Sequence, residues 1–425
     1  MGEMTIATLG ERIRKLRKER GLTLAELAGD KLSKGMLSLI ENNRAKPSME
    51  SLEYIAKRLG VEPAELLEEV STKELRDVLE KVEKLLSEDY KTVDQRIEVY
   101  KQALELIQPY LDSLKYGYEA ARLLELYGRC LIFTWQKGWE PYLQRAAAMY
   151  DEMNLTARRA EIGILRFLDL FEERKYEECL SILEREWRHL VETHAYIDPL
   201  TRLKYDYYRA ILQMAVGDID AAIQSTEKAL QFSREEKIFY LLDVLYRLGL
   251  GYATVYQDLE KVEYYSRKLK QYIALTEDKE LAIYYDLMRA DRLLTIDQNY
   301  EETIEICNRL LDDPRVPDYM LPFIYITKGT ALYYRDELVA ALHWLEKAEL
   351  PKVIVHPIDL TGFYLKDIYR GLIYKKMGEE EKAKQIVITA WENINDLPWT
   401  PYHDFAQKVY NEISQSESQN GDQES

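Results

Sequence analysis

Few side chains in this sequence are spaced to do chemistry, and those that are carry positive charge. Lys34, Arg44 and Lys46 lie in one short stretch, SKGMLSLIENNRAKPS at residues 33–48, with Ser33 and Ser38 adding hydroxyl donors. Ammonium, guanidinium and hydroxyl groups at this spacing suit hydrogen bonding to anions or to a row of acceptors, not bond making. Covalent and metal chemistry find less support. His189 and His194 miss the i, i+4 spacing that puts two ligands on one helical face, and His343, His356 and His403 stand alone, so no metal site is expected. Cys130, Cys179 and Cys307 are odd in number and far apart, which predicts reduced, buried thiols. No phosphate-cradling glycine loop, dinucleotide fingerprint or nucleophile elbow occurs. The sequence therefore predicts a binding protein with no cofactor, not an enzyme.

The charge is unevenly divided. Residues 1–60 hold six Lys and six Arg against eight acids, a balance of +4, so residues 61–425 carry −21 of a chain total of −17. A basic head on an acidic body points to an anionic partner for the head alone. At 425 residues the chain exceeds one compact core, and it holds no apolar run long enough to span a membrane and no secretory signal. A cytoplasmic protein with no membrane partner is the expectation.

The elements that must position the cations follow from apolar spacing and punctuation. Leu9, Ile13 and Leu16 mark a first helix ended by Gly21, and Leu24, Leu27 and Ala28 a second, capped by Thr23 with Glu26 three residues on. Ser33 caps a third, carrying Leu37 and Ile40 inward and stopping near Asn42. Pro47 and Ser48 open a fourth with Leu52, Ile55, Ala56 and Leu59, closed by Gly60, and Pro63 opens a fifth with Leu66 and Leu67. Two very short helices joined by a tight turn between longer ones form a helix-turn-helix.

These residues resemble the Cro/C1 phage-repressor type of helix-turn-helix domain, through IRKLRKERGLTLAELA, SKGMLSLIENNR and KPSMESLEYIAKRLGVEPAELL. The resemblance implies a lambda-repressor-like domain over residues 1–70 that binds double-stranded operator DNA, the third helix entering the major groove. With Leu37 and Ile40 facing inward, Lys34, Gly35, Met36, Ser38 and Leu39 face outward as base readers. Thr23, Ser33, Arg44 and Lys46 are placed for phosphates. In the family the acid equivalent to Glu41 pairs with a first-helix arginine, here Arg17.

Beyond the head, STKELRDVLEKVEKLLS puts Leu75, Val78, Leu79, Val82, Leu85 and Leu86 on one stripe. This linker helix, within residues 71–88, either pairs with a second copy or packs on the following segment. From 89 to 412 the chain reads as about eight helical repeats, six of them carrying motifs with small residues at fixed offsets. Positions 179, 222, 261, 303, 341 and 383 recur at separations of 43, 39, 42, 38 and 42 residues. Small side chains are needed there because the paired helices cross closely. The motifs YRGLIYKKMGEEEKAKQIVITAWE, YYRAILQMAVGDIDAAIQSTEKAL and ITKGTALYYRDELVAALHWLEKAELP are similar to tetratricopeptide repeats, implying an all-α, right-handed superhelical array. Residues 413–425 are polar enough to predict a disordered tail.

A head and an array in this order resemble the RRNPP peptide-pheromone receptors. The resemblance implies a homodimeric transcriptional regulator of the quorum-sensing kind, with a short signalling peptide in the concave face of the repeats. Some relatives in that family instead grip a response-regulator protein, which gives an alternative reading. Counting back from each small residue, the repeat geometry places Lys204, Tyr207, Ile211, Asp243, Tyr246, Tyr285, Met288, Arg292, Phe323, Ile326, Tyr333 and Lys375 toward the peptide.

Overall fold

A computed structural model describes residues 8–63, 66, 70–87, 92–352 and 354–414 of the chain. Its described residues form helices, turns and loops without a strand, and they group into two compact units, residues 1–90 with 94–155, and 91–93 with 156–425.

The first unit opens with four helices, α1 (Leu9–Glu19), α2 (Leu24–Ala28), α3 (Lys34–Glu41) and α4 (Met49–Leu59). Each begins on a hydroxyl N-cap: Thr8, Thr23, Ser33 and Ser48 all accept a backbone N–H from the first turn. Thr8 and Thr23 form full capping boxes with Glu11 and Glu26. Gly60 ends α4 in the left-handed region at φ 62°. Ile13, Leu27, Leu37, Ile40, Leu52, Ile55, Leu59 and Leu66 close one core, each 2% exposed or less. Each such side chain contributes about 1.5–3 kcal/mol of burial, which offsets the weak intrinsic stability of helices this short. The fifth helix expected from Pro63 falls largely outside the described residues.

Helix α5 (Thr72–Leu86), capped by Ser71, answers the question left by its apolar stripe. Leu75, Val78, Leu79 and Val82 are buried within this unit. Arg76 binds Glu119, and Arg122 binds Glu83, each at 2.8 Å, fixing α5 against α7 (Tyr118–Phe133). These four stripe residues thus pack inside the chain, while Leu85 and Leu86 stay half-buried. Helix α6 (Val93–Ile107) and a 3₁₀ turn at Gln108–Ser113 precede α7, which pairs with α8 (Glu140–Glu152).

The second unit is a run of six helical hairpins and a final helix. They are α9 (Thr156–Glu172) with α10 (Tyr176–Thr193), α11 (Pro199–Ala215) with α12 (Ile219–Glu235), and α13 (Leu242–Val255) with α14 (Leu259–Thr276). Then follow α15 (Lys279–Thr295) with α16 (Tyr300–Leu311), α17 (Leu321–Tyr334) with α18 (Leu338–Lys347), α19 (Pro357–Lys376) with α20 (Glu380–Asn395), and α21 (Pro401–Ser414). The six rhythm positions fall one per hairpin, near the start of each second helix. Five of them, Cys179, Ala222, Thr303, Ala341 and Ala383, are fully buried. Lys261 is the exception, reaching out to Glu227 at 3.0 Å.

The first helices supply matching gaps. A Cβ on Gly249 would stand 2.6 Å from the Tyr265 ring, and one on Gly371 would fall on a methyl of Val387. The contact-defined boundary lies at 155/156, whereas the sequence reading starts the array at 89. Helices α7 and α8 group with the head because α7 packs on α5 and α8 on α7.

Candidate nucleic-acid interface and ligand-binding interior

The reading helix is held by backbone as well as side chains. A Cβ on Gly10 would fall on the carbonyl oxygen of Ile40, so α1 and α3 touch main chain to main chain. Asn43, in the left-handed region at φ 57°, accepts from the Gly10 N–H at 3.1 Å and donates to the Thr8 hydroxyl at 2.5 Å. Arg17 donates to both oxygens of Glu41 and, at 2.8 Å, to the carbonyl of Leu22. Glu41 is only 4% exposed, so its carboxylate is turned away from the outer face. Its hydrogen bond is the main reason the Arg17 pKa rises.

What remains outside is a mixed face. Lys34, Gly35, Met36 and Leu39 are exposed, Ser38 is half-buried, and Leu37 and Ile40 lie inside, as the spacing predicts. Ser33 uses its oxygen to accept the Met36 N–H at 3.0 Å, and Thr23 does the same for Glu26 at 3.2 Å. Arg44 and Lys46 are exposed in the following loop. Met49, exposed at the start of α4, and Asn43 are the interface-side residues the sequence reading missed. An asparagine in positive φ leaves no one-dimensional signal beyond its placement just after a helix.

In the second unit the expected peptide contacts separate into two groups. Tyr246 and Tyr285 are buried in the core shared by α11 to α15, and Tyr285 also lines a small cavity with Met288 and Arg292. Tyr207 and Met288 pack partly on the same core. Lys204 is paired with Glu161, Asp243 with Arg247 at 3.3 Å, and Arg292 with Glu263 and Asp297 at 3.2 Å each. Phe323 meets Phe363 edge-on, Tyr333 packs against Tyr334 and Tyr369, and Ile326 is half-buried. Ile211 contributes its carbonyl, which lies 3.3 Å from His356 Nε2, and Lys375 is exposed.

A different set of polar groups faces the interior of this unit. The Asp291 carboxyl on α15 makes no hydrogen bond or ion pair among the described residues, and burial alone pushes its pKa up to about 6. Asp359, at the start of α19, keeps accessible surface, yet surrounding protein raises its pKa against the lowering pull of His356. Tyr402 on α21, raised by burial, feels both carboxylates, so the three groups share one region. Asp291 has no cationic partner among the described residues, whereas Asp359 is drawn to His356. Among the described residues no helix is long and apolar enough to cross a membrane, and no cluster suits a metal ion.

The first of these sites defines its class: a helix-turn-helix with a solvent-facing third helix and flanking cations. Comparison with known proteins agrees, for residues 13–66 match the helix-turn-helix family model HTH_3. The chain is 44% identical over 63 residues to the HTH-type transcriptional regulator DdrOP3 of Deinococcus deserti, covering 15% of this chain and 49% of that protein. It is 34% identical over 89 residues to the immunity repressor protein of Bacillus phage phi105, covering 18% of this chain and 62% of that protein. The chain thus spans about half to three-fifths of these relatives' length.

Among solved structures, the SHP pheromone receptor Rgg2 of Streptococcus dysgalactiae aligns at 17% identity and a TM-score of 0.31, over 66% of this chain and 98% of that one. The competence regulator ComR of Streptococcus vestibularis, in complex with its signalling peptide XIP, aligns at 19% and 0.31 over 79% and 99%. Superpositions this loose bear no weight for function, and the reading below rests on this chain's own residues.

Proposed function

We propose that this chain is a DNA-binding transcriptional regulator whose repeat unit takes up a short peptide carrying a positive group. The observation that carries the first half is the seating of α3: its apolar residues and Glu41 are locked inward, while Lys34, Met36 and Leu39 project into solvent beside Arg44 and Lys46. That arrangement presents one hydrogen-bonding cation and two apolar contacts to base edges, with phosphate ligands at the flank. The two relatives matched by the head are named a transcriptional regulator and an immunity repressor protein, which supports the same reading.

The second half rests on the interior. A carboxyl on Asp291 without a cationic partner among the described residues favours a ligand that brings a cation, either the terminal ammonium of a peptide or a Lys or Arg side chain, with tyrosines to cover its apolar parts. Such a regulator works as a homodimer on two half-sites, and peptide occupancy shifts the population of head arrangements. Fluorescence anisotropy with an operator fragment at fixed salt, with and without short basic peptides, tests this. Peptide-dependent operator affinity supports the reading; DNA binding indifferent to every peptide that binds the chain overturns its regulatory half.

A further inference from the structure

The repeat rhythm is broken once. Five of its six positions bury a small residue, Cys179, Ala222, Thr303, Ala341 and Ala383, whereas the third carries Lys261. Close crossing does not ask for a cation there, and helix electrostatics opposes one. Asp258 caps α14 by accepting the Lys261 N–H at 3.1 Å, so the lysine stands in the first turn, at the positive end of the helix dipole. Its ammonium lies 5.9 Å from the Tyr252 ring centroid and 3.0 Å from Glu227 on α12. A residue that breaks two local rules at once marks a place where something besides the fold sets the choice.

Lys261 lines a groove of about 510 Å³ between the second helices α12 and α14, with the buried Leu230 and Tyr265 beneath it. Lys228 and Arg234 line its α12 side, and Tyr264 its α14 side. Arg234 donates to the Tyr264 hydroxyl at 3.3 Å, while Arg267 and Lys268 lie 5.9 and 5.8 Å from the centroid of the same ring. Lys228, Arg234, Arg267 and Lys268 have no ion-pair partner among the described residues. Glu227 and Glu260 also line the groove, so five cations meet two carboxylates, in a body whose residues 61–425 total −21. The Lys261 and Glu227 side chains are 31% and 51% exposed, a setting in which an ion pair is weak and exchanges readily for another carboxylate.

We infer that this groove is a docking site for an acidic polypeptide segment, anchored by Lys261 and Arg234, with Glu227 standing in for one of the partner's carboxylates. The cations are strung out along the helices. Lys228 and Arg234 are about 9 Å apart along α12, and Lys261 and Lys268 about 10 Å apart along α14, at the helical rise per residue. A compact anion such as phosphate cannot touch both ends, whereas an extended chain rises about 3.3 Å per residue and can place carboxylates at that spacing. A groove spanned by a single Lys–Glu pair is too narrow for a DNA duplex. The groove lies on second helices and takes an anion, whereas Asp291 lies on the first helix α15 and favours a cation, so this site does not depend on the peptide reading.

The test uses the full chain and a short oligoglutamate peptide. A fluorophore on Gln224→Cys, an exposed position at the groove, reports occupancy there and not at the basic head, the native cysteines being buried. The parent shows saturable binding that weakens as salt is added. Lys261→Met and Arg234→Gln each weaken it about fivefold, and Glu227→Gln, which frees Lys261, strengthens it about threefold. Lys382→Met, an equal loss of charge at an exposed site on α20, leaves it unchanged. Lys261→Met keeps the stem and relieves the helix dipole, so its unfolding midpoint does not fall. No binding by the parent, or affinity indifferent to Lys261→Met and Arg234→Gln, overturns the site. A midpoint lowered by Lys261→Met with affinity kept makes the lysine a packing residue and overturns its role. Pyrophosphate or a short DNA duplex that gives the same groove signal as oligoglutamate at equal charge overturns the polypeptide as occupant.

Discussion

Arg17 and Glu41 are joined by two hydrogen bonds, Nε to Oε1 at 2.7 Å and Nη2 to Oε2 at 2.9 Å, with the side chains 11% and 4% exposed. A bidentate pair this enclosed is costly to halve, because the surviving partner keeps its charge and loses its solvation. Arg17→Ala or Glu41→Ala is expected to destabilise the head by about 2–4 kcal/mol, while a paired replacement by Met and Leu recovers much of the loss. Denaturant titration of the parent and the three variants checks this, and a paired replacement that loses the sum of the two single losses would contradict it.

Arg44 and Lys34 should fail in different ways. Arg44→Ala removes a phosphate contact, so affinity falls for every sequence and the dependence on salt concentration flattens by about one ion. Lys34→Ala narrows the gap between operator and unrelated DNA, by about 1–3 kcal/mol of discrimination. Binding isotherms on both kinds of DNA at several salt concentrations separate the two roles.

Asp291 sets a pH dependence of defined sign. Its pKa is raised in the fold to about 6, above the ordinary aspartate range, so the folded protein holds that proton more tightly. Its contribution to stability is full below the unfolded value and is lost as pH rises through about 6. Asp291→Asn should flatten the stability profile over that window. For a cationic ligand the order reverses: binding strengthens as pH rises and the carboxylate forms, and the variant loses that rise. Thermal melts and peptide titrations from acid to neutral pH read both effects.

Two glycines on α19 should respond with opposite signs to alanine. Gly371 has Val387 pressed against it, so Gly371→Ala overpacks the hairpin and costs about 1–3 kcal/mol. Gly362 has open space beyond its Cα, and Gly362→Ala gains about 0.5–1 kcal/mol from helix propensity. Unfolding midpoints of the two variants decide it.

The three cysteines should be silent in the native state. Burial pushes Cys130, Cys179 and Cys307 each up to about 12, leaving almost no thiolate at neutral pH. Ellman's reagent should therefore find no thiol until denaturant is added.

The head was legible because its boundaries are written several times over: a hydroxyl cap, an acid three residues later, a glycine at the stop. Ser33, Thr23 and Gly60 each do in three dimensions what their positions announce. The hairpins were legible through their small residues, since a close crossing admits only a few side chains. The interior was not. Counting back from Thr303 assumes a turn of constant length, but α15 and α16 are joined by four residues, 296–299, where α13 and α14 are joined by three. Asp359 lies too early on α19 for any offset, and Tyr402 follows the last repeat. Tyr402 comes near Asp291 and Asp359 through tertiary folding that no local spacing encodes.

The close approach of Gly10 to Ile40 has a consequence for recognition. A helix propped on side chains can settle deeper or shallower as rotamers change, like a bearing with play. Here main chain meets main chain, and Asn43 pins the same corner, so the reading helix has almost no play against its domain. Any misfit between this face and an operator must then be taken up on the other side of the contact, by the bending and groove width of the DNA.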